Sequence, residues 1–170
     1  MLKTKKSIGS FLAKAGVIAG VYAVATMALP FLSYGGVQLR FSEALTLLPL
    51  FFVEAIPGLF IGCLIANLLG NGLLDIIFGS LATLLAAAIT YLVGRLVKNN
   101  VLRVLLGGLP PIIINAIVIP FTYLLVTELS SLYFINFLTV GIGQFIAVYV
   151  FGGLLYLALH KRLNQISLLK

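Results

Sequence analysis

Apolar runs long enough to cross a bilayer follow one another along almost the whole chain, and no polar stretch between them is long enough to form a soluble domain. In lipid each such run must satisfy its own backbone, which a helix does and an open strand does not. Of the 170 residues 62% are apolar and 9% charged, against roughly a quarter charged in soluble domains. A water-soluble globule is therefore excluded. At ~20 residues per crossing with short connections, the length accommodates about six helices. The expectation is a single all-α integral membrane domain, 1–170, built as one compact bundle of six transmembrane helices in the lipid bilayer.

The net charge of +7 is read as insertion topology and not as a nucleic-acid surface, because of where the charges fall. Lys3, Lys5, Lys6 and Lys14 precede the first apolar run, Arg95, Lys98 and Arg103 separate two later ones, and Lys161, Arg162 and Lys170 follow the last. Ten of the eleven basic residues share one side if the stretch 44–69 crosses twice, broken near Ile56-Pro57-Gly58; Arg40 is the exception. The expected helices are 14–32, 44–56, 58–70, 73–94, 104–127 and 134–160, with both termini cytoplasmic and the loop Ser33–Ser42 outside. Turns are expected at Gly70-Asn71-Gly72 and at Glu128-Leu129-Ser130-Ser131. Ala23-Val24-Ala25 resembles a signal-peptide cleavage site, but the apolar run continues to Leu32.

Several chemistries are excluded by count. One cysteine, Cys63, and one histidine, His160, support neither a disulfide, a His/Cys metal cluster nor a Cys/His catalytic pair. Cys63 is read as small packing filler, and no metal or cofactor is expected. No Gly-x-x-x-x-Gly-Lys-Ser/Thr loop is present, so the chain does not itself hydrolyse ATP.

Small residues make two ridges. Ala15, Ala19 and Ala23 recur every fourth residue, with Gly16 and Gly20 beside them, and Gly58, Gly62, Ala66 and Gly70 repeat the device on the third helix. Close backbone approach over small side chains is a main source of helix association in lipid. The spacing leaves internal packing and partner contact equally open for the first ridge and favours internal packing for the second. Polar residues at membrane depth are costly and mark sites or cavities; here they are Arg40, Glu43, Asn67, Asp75, Asn115, Asn136 and Gln144. Pro120 frees the carbonyl of Ala116, beside Asn115, and Gly141 and Gly143 thin the last helix beside Gln144. Glu54 is placed to favour the N-terminus of the third helix. The residues alone thus describe a compact binder of a small polar molecule on its outer side, with scattered structural polars as the alternative.

The stretches GGVQLRFSEALTLLPLFFVEAIPGLFIGCLIANLLGNGLLDIIFGS (35–80), LPPIIINAIVI (109–119) and NFLTVGIGQFIA (136–147) resemble the QueT family. The resemblance implies the substrate-binding S component of an energy-coupling factor transporter in a bacterial plasma membrane. The implied substrate is the queuosine precursor 7-aminomethyl-7-deazaguanine. A transmembrane T component and two ATPase subunits would supply the energy, with Ala15, Ala19 and Ala23 docking on the T component. The implied pocket residues are Glu43 and Asp75 as acids for the ring edge and the amine, in either order. Asn115, Asn136 and Gln144 are the amides, and Phe41, Tyr133 or Phe137 would stack on the ring. Arg40 would orient Glu43 from a loop that closes beside Gly35 and Gly36. Another vitamin-like substrate, a stand-alone secondary carrier and an integral-membrane enzyme stay open as alternatives; the last lacks a nucleophile paired with a base.

Overall fold

A computed structural model describes residues 7–28, 39–70, 72–127 and 130–168. The Gly35-Gly36 loop, Asn71, the Glu128-Leu129 turn and the terminal Lys3, Lys5, Lys6 and Lys170 lie outside the described residues. All regular structure within them is helical: α1 (Ile8–Ala28), a 3-10 helix (Phe41–Leu50), α2 (Ala55–Gly70), α3 (Ser80–Leu96), α4 (Asn100–Thr127), α5 (Ser130–Phe145) and α6 (Gly153–Leu168). Two π-helical segments, Asp75–Gly79 and Ile146–Gly152, run directly into α3 and join α5 to α6. Four helical stretches are long and apolar enough to cross a membrane, Ile8–Ala28, Asp75–Leu96, Asn100–Leu125 and Leu132–Ile166; the 3-10 helix and α2 are shorter.

Several helix limits differ from those the sequence suggests, and each difference has a local cause. α1 begins before Lys14 because the Ser7 hydroxyl caps it, accepting from the Ser10 amide at 3.2 Å. α4 begins at Asn100 because Asn99 Oδ1 accepts from the amides of Val101 and Leu102 at 3.0 and 3.1 Å, which draws Arg103 out of the expected loop into a first turn. The expected helix 44–56 is instead the 3-10 helix followed by a turn in which the Phe52 amide bonds the Leu48 carbonyl at 3.0 Å. At about 2.0 Å per residue, a 3-10 helix covers as much depth in ten residues as an α-helix does in about thirteen. The chain break therefore falls at 51–54, not at Pro57. Pro57 sits in the first turn of α2, where its missing amide costs no hydrogen bond.

Side-chain pairings show that successive segments alternate in direction. The far end of α1 meets the start of the 3-10 helix through Tyr22 and Glu43, and the end of the 3-10 helix meets α3 and α4 through Leu50, Gly94 and Arg103. Thr83 reaches back to Cys63, Asp75 pairs with Thr122, and Tyr149 pairs with Leu105. Lys14, Glu54, Arg103 and His160 consequently gather at one end, the basic end, and Tyr22, Glu43, Asn67, Asp75 and Thr122 at the other, the polar end.

The packing is that of a membrane protein. Alanines (Ala15, Ala19, Ala55, Ala66, Ala82, Ala86, Ala87) fill the interior while Leu12, Val17, Leu68, Leu85, Ile113, Phe134 and Leu154 face outward, because lipid gives large apolar side chains no reason to hide and small ones let helices approach. The two ridges read from the sequence face one another. A Cβ at Gly58 would lie 2.8 Å from the Ala15 carbonyl oxygen, and one at Gly62 would lie 2.8 Å from that of Ala19. Ala15 and Ala19 thus lie against α2 of the same chain and Ala23 is buried as well, whereas the resemblance assigns all three to docking on a partner. Gly16 and Gly20 on the adjacent ridge face open space. Gly70 is exposed and takes no part.

α4 carries three prolines, Pro110, Pro111 and Pro120. Pro111 cannot donate to the carbonyl of Gly107, and the Thr90 hydroxyl donates to it instead at 2.8 Å. The same helix is locked at its start, where Arg103 Nη2 donates to the carbonyls of Leu50 and Gly94, both at 2.6 Å. Glu54, buried at the mouth of α2, meets Lys14 at 3.6 Å, so its charge is used for a cross-helix ion pair as well as at a helix N-terminus.

Candidate ligand-binding site

The polar end is built outward from Glu43, the third residue of the 3-10 helix, which turns its carboxylate into the bundle with only 1% of the residue exposed. Oε1 accepts the Tyr22 hydroxyl at 2.5 Å. The neighbouring Ser42 is tied to the same face of α1 by Thr26, whose hydroxyl lies 2.7 Å from Ser42 Oγ and 2.9 Å from the Tyr22 carbonyl. Thr46 closes the turn on the Glu43 carbonyl at 2.6 Å. The carboxylate is therefore fixed by one oxygen. Its Oε2 is buried with no donor in hydrogen-bonding geometry, and Gln144 is the amide side chain that faces it.

Arg40, at the N-terminus of the 3-10 helix, is buried and donates from Nη1 to Asn67 Oδ1 at 3.2 Å. Its guanidinium lies within electrostatic reach of both Glu43 and Asp75. Asn67, two-faced, donates from Nδ2 to the Asp75 carbonyl at 3.0 Å and to Cys63 Sγ at 3.3 Å. Cys63 also receives the Thr83 hydroxyl at 3.3 Å, so the expected filler is an acceptor as well. Asp75 opens the π-helical segment, where its Oδ1 takes the Thr122 hydroxyl at 2.7 Å. Widened π turns recur where a helix carries a functional group, and both π segments here lie near polar residues: one starts at Asp75, and the other starts two residues after Gln144.

Asn115 is buried on α4 with its Nδ2 unpartnered, and Gln144 is buried on α5 with its Oε1 unpartnered. They flank one helix contact, since a Cβ at Gly141 would lie 3.6 Å from that of Ala116. Of the residues singled out in the sequence, Arg40, Glu43, Asn67 and Asp75 are thus joined by contact or short-range electrostatics. Gln144 faces Glu43, and Asn115 precedes Ala116, which meets Gly141 one turn before Gln144. Asn136 lies two turns before Gln144, half-buried, its carbonyl accepting from Thr139 at 3.1 Å. Among the aromatics, Phe41 packs edge-on against Phe151 with centroids 4.8 Å apart, and Tyr133 spends its hydroxyl on the Ile117 carbonyl at 3.3 Å. Phe137 is half-buried.

Hydroxyls are what sequence reasoning left out. Tyr22, Thr26, Ser42 and Thr122 are all buried; Tyr22 and Thr122 hold the two acids and Thr26 pairs with Ser42, yet a hydroxyl in an apolar helix is easily read as tolerated, since it can bond its own backbone. The available signal was spacing: Tyr22 and Thr26 are four apart and continue the face of Ala15 and Ala19.

The electrostatic sum at this end is informative. Among the described residues, one buried cation, Arg40, stands against two buried acids, Glu43 and Asp75, leaving one negative charge in excess when both acids are ionised. An uncompensated charge in a low-dielectric interior is expensive. A site with a surplus anion, two open acceptors (Glu43 Oε2, Gln144 Oε1) and one open donor (Asn115 Nδ2) suits a small cation that also carries N–H groups and a carbonyl.

A family model described as QueT transporter matches residues 12–161. The Queuosine precursor transporter QueT of Lactococcus lactis subsp. cremoris (strain MG1363) is 37% identical over 82 residues, 47% of this chain and 48% of that protein. The aligned part thus spans about half the length of that relative. No solved structure matches the chain significantly.

Proposed function

The chain belongs to the QueT transporter family, and from that premise we propose that it is the S component of an energy-coupling factor importer. In this reading it captures the queuosine precursor 7-aminomethyl-7-deazaguanine at its polar end. The carrying observation is the buried cluster of Arg40, Glu43, Asn67 and Asp75 with unpartnered amide atoms of Asn115 and Gln144 beside it. Such a group of polar side chains at membrane depth is a site by default. The polar end faces outside the bacterial plasma membrane and the basic end faces the cytoplasm, in keeping with the positive-inside tendency. Asn136 and Phe137 belong to the outer wall, and Arg40 holds the Asn67–Asp75 side of the pocket.

Energy comes from a T component and two ATPase subunits. Because Ala15, Ala19 and Ala23 are buried within the chain, the T component meets α1 on the neighbouring ridge of Gly16 and Gly20, where nothing among the described residues comes within 4 Å of an added Cβ. Two measurements test the proposal. Affinity purification of the tagged chain from cells should bring down an ATPase pair, and uptake of labelled precursor should stop when ATP is depleted. Uptake that survives ATP depletion and collapses with the proton gradient would assign a stand-alone carrier instead. A cysteine introduced at Lys170 should stay protected from an impermeant reagent added to intact cells; labelling there would invert the orientation.

A further inference from the structure

Among the described residues, open buried atoms at the polar end include three on three different segments: the acceptor Glu43 Oε2 on the 3-10 helix, the acceptor Gln144 Oε1 on α5 and the donor Asn115 Nδ2 on α4; Ser80 Oγ, at the start of α3, is a further one. The side chains are at least nine-tenths buried, Glu43 1%, Asn115 4% and Gln144 4% exposed. Buried polar atoms are nearly always satisfied, so three open ones beside a fixed carboxylate call for an occupant. The nearby polar residues are already committed: Asn67 to Arg40, Cys63 and the Asp75 carbonyl, Asp75 Oδ1 to Thr122, and Glu43 Oε1 to Tyr22.

We infer that Glu43, Gln144 and Asn115 read the amidine–lactam edge of the ligand, two acceptors for its ring N–H and exocyclic amine and one donor for its ring carbonyl, while Asp75 takes the ligand's cationic substituent. The inference rests on the reading that the polar end binds a deazaguanine, and assigns the two acids that the sequence left interchangeable. Glu43 goes to the edge because Tyr22 holds one of its oxygens and leaves the other open. An ionised carboxylate also accepts without donating, which excludes a base presenting an acceptor at the same point. Asp75 goes to the cation because its Oδ1 is already engaged by Thr122, and a flexible ammonium, with three donors and no preferred edge, needs only charge and one free lone pair. With Arg40 opposing two acids, a monocationic ligand leaves the buried end neutral. Tyr22 is a positioning residue: it touches Glu43 and sets which oxygen is presented.

A structural role and a ligand role predict opposite outcomes for the open amide of Asn115. Removing an atom that already lacks a partner, with shape preserved, relieves a desolvation penalty. Asn115→Leu should therefore leave the empty protein melting at the same temperature or higher, while weakening 7-aminomethyl-7-deazaguanine about tenfold or more. Gln144→Met should weaken the ligand by the same factor, but it also takes an amide away from Glu43, so it is read from binding alone. Calorimetric titration of the full chain in nanodiscs, with 7-aminomethyl-7-deazaguanine and with 7-deazaguanine, then separates the acids. Glu43→Gln should weaken both ligands about tenfold. Asp75→Asn should weaken only the aminomethyl compound by that factor and leave 7-deazaguanine within about twofold of its affinity for the unaltered chain. A lower melting temperature for Asn115→Leu, or the same ligand pattern for both acid variants, would overturn the assignment. Failure of the unaltered chain to bind either deazaguanine would instead overturn the reading on which it rests.

Discussion

At the basic end, Arg103 spends one terminal nitrogen on the carbonyls of Leu50 and Gly94, and Lys14 closes on Glu54. At the polar end, Arg40 reaches Asn67, Tyr22 reaches Glu43 and Thr122 reaches Asp75, and the carboxylate and amides beyond them keep atoms in reserve. Both ends bury charge, but they place it differently. The first uses side chains to satisfy main-chain groups at the ends of helices, which the bilayer would otherwise leave without partners. The second lines up side chains against side chains on six segments, α1, the 3-10 helix, α2, the π-helical segment before α3, α4 and α5, and leaves Glu43 Oε2, Gln144 Oε1 and Asn115 Nδ2 each without a partner. Arg103 Nε and the Tyr156 hydroxyl are open at the basic end, but they belong to groups held by ring contacts, Arg103 over Phe51 and Tyr156 between Phe51 and His160. In the proposed reading the basic end is a frame and the polar end a receptor, and the two differ by where their hydrogen bonds end.

The sharpest way to break the comparison is to wedge the frame open. A Cβ at Gly94 would lie 2.8 Å from the Leu50 Cα and 2.9 Å from its carbonyl oxygen, main-chain atoms that cannot rotate away. Gly94→Val should therefore cost ~3 kcal/mol or more, seen as loss of monodisperse protein on size-exclusion chromatography. Arg103→Met comes next. It keeps an apolar stem but removes the guanidinium from the Phe51 ring and abandons two carbonyls, and hydrogen bonds from a charged donor contribute roughly 1.5–3 kcal/mol each. Thermal melting should drop clearly while ligand affinity stays within about twofold. If the Arg103→Met protein melts normally but binds poorly, the basic end is part of the receptor and the division fails.

Much of this was legible because lipid leaves few solutions. The helical class follows from the cost of polar atoms away from water, and the same cost singles out Arg40, Glu43, Asp75, Asn115 and Gln144, all of them buried. Not legible was which ridge meets which: Ala15 and Ala19 face Gly58 and Gly62 through a close approach that spacing allows but does not require. The 3-10 helix was also hidden, since Ser42, Glu43, Thr46 and Leu47 through Leu50 are all buried and an all-round buried segment carries no helical period. Nor does composition distinguish Arg103, which serves carbonyls, from Arg40, which serves an amide; only the capping of α4 by Asn99 separates them.

A gentler perturbation sharpens the receptor side. Tyr22→Phe removes one hydroxyl from Glu43 and leaves the ring packed among Leu59, Cys63 and Ala66. Interhelical hydrogen bonds in membranes are worth ~0.6–2 kcal/mol, so melting should fall slightly. Because the freed carboxylate oxygen no longer fixes its twin, affinity for both deazaguanines should fall about three- to tenfold. An unchanged affinity with a large loss of stability would move Tyr22 into the frame.

The smallest expected effect is the most discriminating, because its sign differs between the two kinds of region. Thr122→Val replaces a hydroxyl by a methyl of nearly the same shape and strips Asp75 Oδ1 of its 2.7 Å partner. In the empty protein a buried carboxylate then loses a donor, and stability should fall by about 1 kcal/mol. If Asp75 awaits a cation, the ligand's ammonium supplies what Thr122 no longer does. The aminomethyl compound should then bind as tightly as before or up to about threefold more tightly, its stabilisation of the melting temperature should grow, and 7-deazaguanine should show no gain. If Asp75 is instead a strut between the π-helical segment and α4, losing Thr122 loosens the wall and weakens both compounds alike. That result would place Asp75 with Arg103 in the frame and leave Glu43 as the receptor's acid.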